Sequence, residues 1–139
     1  LQGDPRVHLV GYADSAALYP AMDLVVLPTY REGLPNVLLE AAAMELPTVA
    51  THIPGCVDAV VDDVTGTLVT VRDVARLTAA IERYVTDDNR RQAHGRAGRE
   101  RVLRDFEPEA IWTALAHEYM RFTQITDDAA STPELAPPS

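Results

Sequence analysis

Leu27-Pro28-Thr29-Tyr30-Arg31-Glu32-Gly33-Leu34-Pro35-Asn36-Val37-Leu38-Leu39-Glu40-Ala41-Ala42-Ala43 is the stretch that decides the fold. It starts at the end of an apolar run, Leu24-Val25-Val26-Leu27, whose unbroken hydrophobicity predicts a short strand covered on both faces. It runs into an alanine-rich pattern that carries Val37, Leu38, Ala41 and Ala42 and is opened by Pro35-Asn36, which predicts a helix. Strand, loop and helix in that order put the loop at the carboxyl end of a strand, where open α/β sheets bind their ligands.

Three features of the loop suit a ligand. Gly33 has no Cβ, so the backbone can bend sharply there and a ligand can approach closely. A helix that starts near Pro35 leaves its first N–H groups unpaired, which makes an anion site. Glu32 in the loop and Glu40 about a turn into the helix are carboxylates separated by seven residues, and both can reach one pocket. Carboxylates beside an anion make sense as acceptors of hydrogen bonds from sugar hydroxyls. Such a bond contributes roughly 1.5–3 kcal/mol, and the helix end adds about 0.3–1 kcal/mol for an anion. The same residues also fit an ordinary turn before a proline-started helix with a solvated glutamate, and the spacing alone does not separate the two.

Outward from this stretch, Val7 to Val10, Thr48 to Ala50 and Thr67 to Val71 read as further short strands. Asp14 or Ser15 can cap a short helix carrying Leu18 and Tyr19, ended by Pro20. Strands alternating with helices predict a parallel α/β sheet, Rossmann-like in character. Asp73 can cap a helix with Val74, Leu77, Ile81 and Val85 on one face. An arginine-rich helix follows from about Asn89 to Leu103, and a last one after Pro108 turns Ile111, Leu115, Tyr119 and Phe122 inward. Residues 124–139 read as a disordered tail, leaving 1–123 as a single domain.

With 139 residues, nearly half of them apolar, the chain can build one core. A formal charge of -9 argues against sequence-independent nucleic-acid binding, and an anionic ligand must be met by local donors. There is no lysine, so arginine carries every fixed side-chain positive charge. Cys56 is the single cysteine, which excludes an intrachain disulfide and a thiol-rich metal site. No apolar run approaches the roughly 20 residues that span a bilayer. The first residue is Leu1, and the chain is read as a fragment of a longer protein.

The whole pattern resembles the C-terminal domain of family 4 glycosyltransferases, which have the GT-B fold. The resemblance is carried by Glu32 and Glu40 at their spacing, by Leu46-Pro47-Thr48-Val49-Ala50-Thr51, by Pro54-Gly55-Cys56-Val57-Asp58-Ala59-Val60 and by Thr65-Gly66-Thr67-Leu68-Val69. Val10-Gly11-Tyr12, Asp23-Leu24-Val25-Val26 and Phe106 also fit, so that residues 7 to 122 are covered. It implies that Glu32 contacts hydroxyls of the transferred sugar and positions it for reaction. It implies that Gly33, Leu34, Pro35 and Asn36 surround the sugar and diphosphate. Glu40 would bind ribose, and Gly11-Tyr12 would lie near the nucleobase. Transfer with retention, no metal or other cofactor, a UDP- or GDP-linked donor and a cytoplasmic setting, at the inner membrane face for lipid-linked acceptors, are further implications. The family's N-terminal domain, which binds the saccharide or lipid-linked acceptor, and a basic diphosphate-binding pair lie outside this sequence, so the chain by itself is expected to be inactive. A sugar-nucleotide epimerase of the same fold and a non-catalytic nucleotide-sugar-binding domain are the alternatives. Family members usually carry glycine where Glu45 stands. A left-handed backbone there would cost about 1 kcal/mol or more.

The remaining candidates have plainer roles. His8, His52, His94 and His117 lack the close spacing of a metal site, and His52 is expected in a loop. Cys56 and Asp58 are read as structural. The helix with Arg90, Arg91, Arg96, Arg99, Arg101 and Arg104 is read as a solvated face, with contact to anionic lipid as its second use. Trp112 is read as packing.

Overall fold

The computed structural model describes residues 3–107 together with His117 and Met120. The chain forms two compact units, Leu1–Val102 and Leu103–Ser139. In the second, the described residues include the end of a helix that begins at Asp88, where Arg104 pairs with Asp105 at 2.7 Å. The expected helix carrying Ile111, Trp112, Leu115, Tyr119 and Phe122 and the tail 124–139 fall on residues outside the described ones, apart from His117 and Met120.

The first unit is built from alternating helices and strands. Helix α1 (Ser15–Leu18) runs into a single 3-10 turn, Tyr19–Ala21. Strand β1 (Val25–Leu27), α2 (Asn36–Ala43), β2 (Thr48–Thr51), α3 (Cys56–Ala59), β3 (Gly66–Val69), α4 (Val74–Thr86) and α5 (Asp88–Asp105) follow. The strands are parallel in the order β1-β2-β3, with Val25 opposite Thr48 and Thr48 opposite Gly66. Parallel neighbours need a crossover, and α2 and α3 each occupy the chain between two strands.

Both faces of the sheet are covered because successive side chains point to opposite sides. Leu27, Ala50 and Leu68 pack on one face with Leu38, Ile53, Cys56, Ala59 and Val60. Val26, Val49 and Val69 pack on the other with Leu77, Ala80 and Tyr84 of α4. Burying one such side chain contributes about 1.5–3 kcal/mol. The strand buried along its whole length is β2, whereas β1 is half-buried at all three residues. The double cover expected for Leu24 to Leu27 is present, with Leu27 on one packed face and Leu24 and Val26 on the other, but it is less complete than in β2, which has a neighbour on each side.

Two expectations fail. Val7 to Val10 form no strand, and Leu9 and Val10 are exposed. A parallel strand exists only through a ladder, and the three described strands leave this segment without a partner. On α4, Val74 and Val85 are exposed, Ala80 and Tyr84 are buried, and Leu77 and Ile81 are half-buried. The helix is rotated by Tyr84, whose hydroxyl lies 3.0 Å from Thr67 Oγ1 and 2.8 Å from His94 Nδ1. Burying that hydroxyl with two partners outweighs keeping two valines from water.

Helix caps are largely local. Asp14 accepts from the Ala16 amide and Asp73 from the Arg76 amide, as their sequence positions predict. Helix α2 ends in a Schellman arrangement. The Leu46 amide donates to the Ala41 carbonyl at 2.9 Å and the Glu45 amide to the Ala42 carbonyl at 3.0 Å. Glu45 has φ of 60°, the left-handed backbone its position demands. Helix α5 closes over this end: a Cβ on Gly95 would stand 1.9 Å from the Glu45 carbonyl oxygen. Arg99 donates to the Ala43 carbonyl at 2.6 Å, and Arg101 to the carbonyls of Asp58 and Ala59 at 2.6 and 2.5 Å. The arginine-rich helix is thus no plain solvated face. Two of its arginines complete the carboxyl ends of α2 and α3.

Candidate functional site

The loop between β1 and α2 sits at the carboxyl edge of the sheet and is held from both sides. The Thr51 hydroxyl, at the end of β2, donates to the Thr29 carbonyl. On the other side, Gly55 at the start of α3 lies against the backbone of Glu32 and Gly33. Its φ is 84°, and a Cβ there would come within 1.6 Å of the Gly33 carbonyl oxygen. Gly55 is thus the glycine at which two stretches of backbone meet. Gly33 has no left-handed backbone, so the bend expected of it is not made through a positive φ, and it has open space where a Cβ would stand.

Glu32 is half-buried in this loop, and Leu34 is exposed. Cys56, fully buried, has its thiol pushed up by burial and, second, by the negative charge of Glu32. That keeps it a neutral thiol, as expected of a structural cysteine. Pro35 is the N-cap of α2, and no side chain caps the helix there. The Leu38 amide is taken by the Pro35 carbonyl at 3.0 Å. Asn36 and Val37 head the first turn, with the positive end of the helix dipole behind them.

Glu40 stands four residues into α2, about 6 Å along the helix at 1.5 Å per residue. Its carboxylate is exposed but oriented: the Tyr19 hydroxyl donates to Oε2 at 2.7 Å and Ser15 Oγ lies 3.3 Å from the same oxygen. Tyr19 is 4 % exposed, and burial together with Glu40 pushes its pKa up to about 12. Neither Tyr19 nor Ser15 was singled out for the site from sequence. The signal that could have found Tyr19 is a tyrosine kept at a buried turn, where its hydroxyl requires a partner.

Gly11 and Tyr12 were expected near the same site. Gly11 has φ of 71° and Tyr12 is fully exposed. The side-chain hydrogen bonds that tie this upstream segment to α2 come from Ser15 and Tyr19 instead. His52 is exposed, with its amide bonded to the Val69 carbonyl at 2.7 Å. Among the described residues no group of three His, Cys, Asp or Glu side chains is placed to hold a metal ion. None of the described helices is long and apolar enough to cross a membrane. A cavity of about 110 Å3 lies past the ends of the strands, bounded by Tyr30, Thr51, Thr70 and Arg72, with the Arg72 guanidinium 5.6 Å from the Tyr30 ring centre. It shares the β1–α2 loop with Glu32 but is lined by neither Glu32 nor Glu40.

A parallel sheet with a loop and a helix start at its carboxyl edge is the arrangement in which open α/β proteins bind their ligands. Comparison with known proteins narrows it. Residues 1–87 match the family model of the group 1 glycosyl transferases. The capsular polysaccharide biosynthesis glycosyltransferase CapM of Staphylococcus aureus is 36% identical over 88% of this chain and 32% of its own length. Sucrose-phosphate synthase from Thermosynechococcus elongatus superposes with a TM-score of 0.80 at 33% identity, covering 86% of this chain and 31% of that one. HepE of Anabaena, solved in complex with UDP-glucose, shares the fold with a TM-score of 0.78 at 23% identity, over 85% of this chain and 33% of that one. The chain belongs to the group 1 glycosyl transferases and has the architecture of the C-terminal domain of their GT-B fold. It spans about a third of the length of these relatives.

Proposed function

We propose that this chain is the donor-binding half of a glycosyltransferase that moves a sugar from a nucleotide-sugar to an acceptor with retention of configuration. The observation that carries this is the pair of carboxylates flanking an uncapped helix start, with Glu40 already oriented by Tyr19 and Ser15. In this assignment Glu40 accepts from the ribose hydroxyls, and Glu32 accepts from hydroxyls of the transferred sugar. The amides of Gly33, Leu34, Asn36 and Val37 meet the diphosphate, while Pro35 has no N–H to give. Gly11 and Tyr12 approach the base.

The chemistry follows from where charge develops. As the glycosidic bond to the diphosphate breaks, negative charge grows on the leaving oxygens. Backbone N–H groups aimed at that position, backed by the helix dipole, stabilise it without reorganising. One such donor contributes about 100-fold to 1,000-fold in rate in comparable sites. No metal is required in this scheme. The acceptor, a saccharide or a lipid-linked saccharide, is assigned to a part of the enzyme outside this chain, in keeping with the share of the relatives that it spans. A cytoplasmic setting belongs to the same proposal, and the one buried, unpaired cysteine fits it.

Calorimetric titration with UDP, GDP and their sugar conjugates, beside a Glu40→Ala variant, tests the assignment. Saturable binding weakened about 10-fold to 100-fold by the substitution is expected for a lost bond to a charged acceptor. Equal binding by both proteins would remove Glu40 from the site.

A further inference from the structure

We infer that Tyr19 is a positioning residue for the nucleotide: it locks one oxygen of Glu40 so that the other is presented to a pair of neighbouring ribose hydroxyls. This rests on the assignment of Glu40 to ribose made above. The Tyr19 ring is buried among Val25, Ala41 and Leu46, so its hydroxyl is delivered by a rigid frame. The 2.7 Å contact to Glu40 Oε2 has the length of a charge-assisted O–H···O bond. Ser15 Oγ converges on the same oxygen at 3.3 Å. A carboxylate oxygen has two lone pairs, so these two donors occupy Oε2. Oε1 keeps its own two lone pairs, enough for two hydroxyl donors from one sugar.

The arrangement matters because Glu40 is exposed. A free glutamate on a helix surface samples many rotamers and must lose that freedom when it binds. Tyr19 removes that freedom before the ligand arrives. It also remains a donor. Burial, and then the hydrogen bond and charge of Glu40, hold its proton to about pH 12, so the hydroxyl stays protonated across the physiological range. A phenylalanine would fill the same space in the core, and the hydroxyl is the part that acts on Glu40.

The experiment uses the full-length gene product that carries this chain, as wild type, Tyr19→Phe and Glu40→Ala. Each is titrated calorimetrically with UDP or GDP, whichever the wild type binds more tightly, and with the 2′,3′-dideoxy form of that nucleotide. The expected result is that Tyr19→Phe weakens the ribonucleotide about 5-fold to 10-fold and leaves the dideoxy form unchanged, with little shift in Tm. Glu40→Ala should erase the preference for the ribonucleotide altogether. Equal weakening of both nucleotides by Tyr19→Phe would make the hydroxyl a packing element and overturn the inference. A loss in Glu40→Ala with none in Tyr19→Phe would overturn it too, while leaving Glu40 on the ribose. Preference for the ribonucleotide that survives Glu40→Ala, or no nucleotide binding by the wild type, would overturn the ribose assignment and the inference together.

Discussion

Helix α2 has two ends built on opposite plans. Its amino end begins at a proline, has no side-chain cap and faces the exposed loop that holds Glu32. Its carboxyl end is saturated: the Schellman bonds to Ala41 and Ala42, the Arg99 bond to Ala43 and the close approach of Gly95 leave little for solvent to do. Both ends start with the same problem, a row of backbone groups without helical partners. At one end the fold solves it from within, through α5. At the other no side chain caps the helix, which suits the anion site proposed there. Stability is thus placed at one end of an eight-residue helix, and the ligand binding proposed above at the other.

The contrast can be broken most severely at Gly55. Gly55→Ala puts a Cβ against the Gly33 carbonyl at a positive φ. The variant should lose about 3 kcal/mol or more of stability in urea unfolding, and nucleotide binding with it. Wild-type stability would show that the loop is free to yield. Glu40→Ala sharpens the contrast by separating its two halves. Nucleotide affinity should fall by about 2 kcal/mol, and the thermal midpoint should fall slightly as well, since the buried Tyr19 hydroxyl loses its acceptor. Glu45→Gly acts at the saturated end with the opposite sign. Relief of the left-handed backbone should stabilise the unit by about 1 kcal/mol, less a few tenths for the exposed pair with Arg99, and leave nucleotide affinity unchanged.

The smallest expected effect is a pH dependence next to Gly95. Burial first, and the charge of Arg90 second, hold the His94 pKa below its ordinary value. The unfolded chain therefore takes up a proton more readily than the folded one. The stability this contributes is fully present above pH ~6.5 and is lost as pH falls through the lower folded value. Unfolding at pH 7.5 and 5.5 should show wild type losing more than His94→Gln. Equal losses would mean that His94 titrates as if exposed.

Much of this molecule is written in short windows of sequence. Three strands, the start of α2 at Pro35-Asn36 and the caps Asp14 and Asp73 all depend on a handful of neighbouring residues, and each was legible. The left-handed backbone at Glu45 was legible only as a condition, through the glycine that family members carry there, and the structure shows it. The elements misread were those whose fate rests on distant partners. Val7 to Val10 has the pattern of a strand and lacks a ladder. Val74 and Val85 have helical spacing but lie off the face that Tyr84 turns inward.

The candidate site divides the same way. The amino-acid sequence by itself determined the two carboxylates, their spacing and the helix start between them, since residue type and local periodicity suffice for that. Only the tertiary structure decided that Gly55 is where α3 meets the backbone of this loop. It alone joined Tyr19 and Ser15 to Glu40 across 21 and 25 residues of chain. It alone turned Arg99 and Arg101 from surface charges into caps on helices 56 and 42 residues upstream. Close approach of backbones and convergence of donors on one oxygen are properties of distance in space, which periodicity along a chain does not encode.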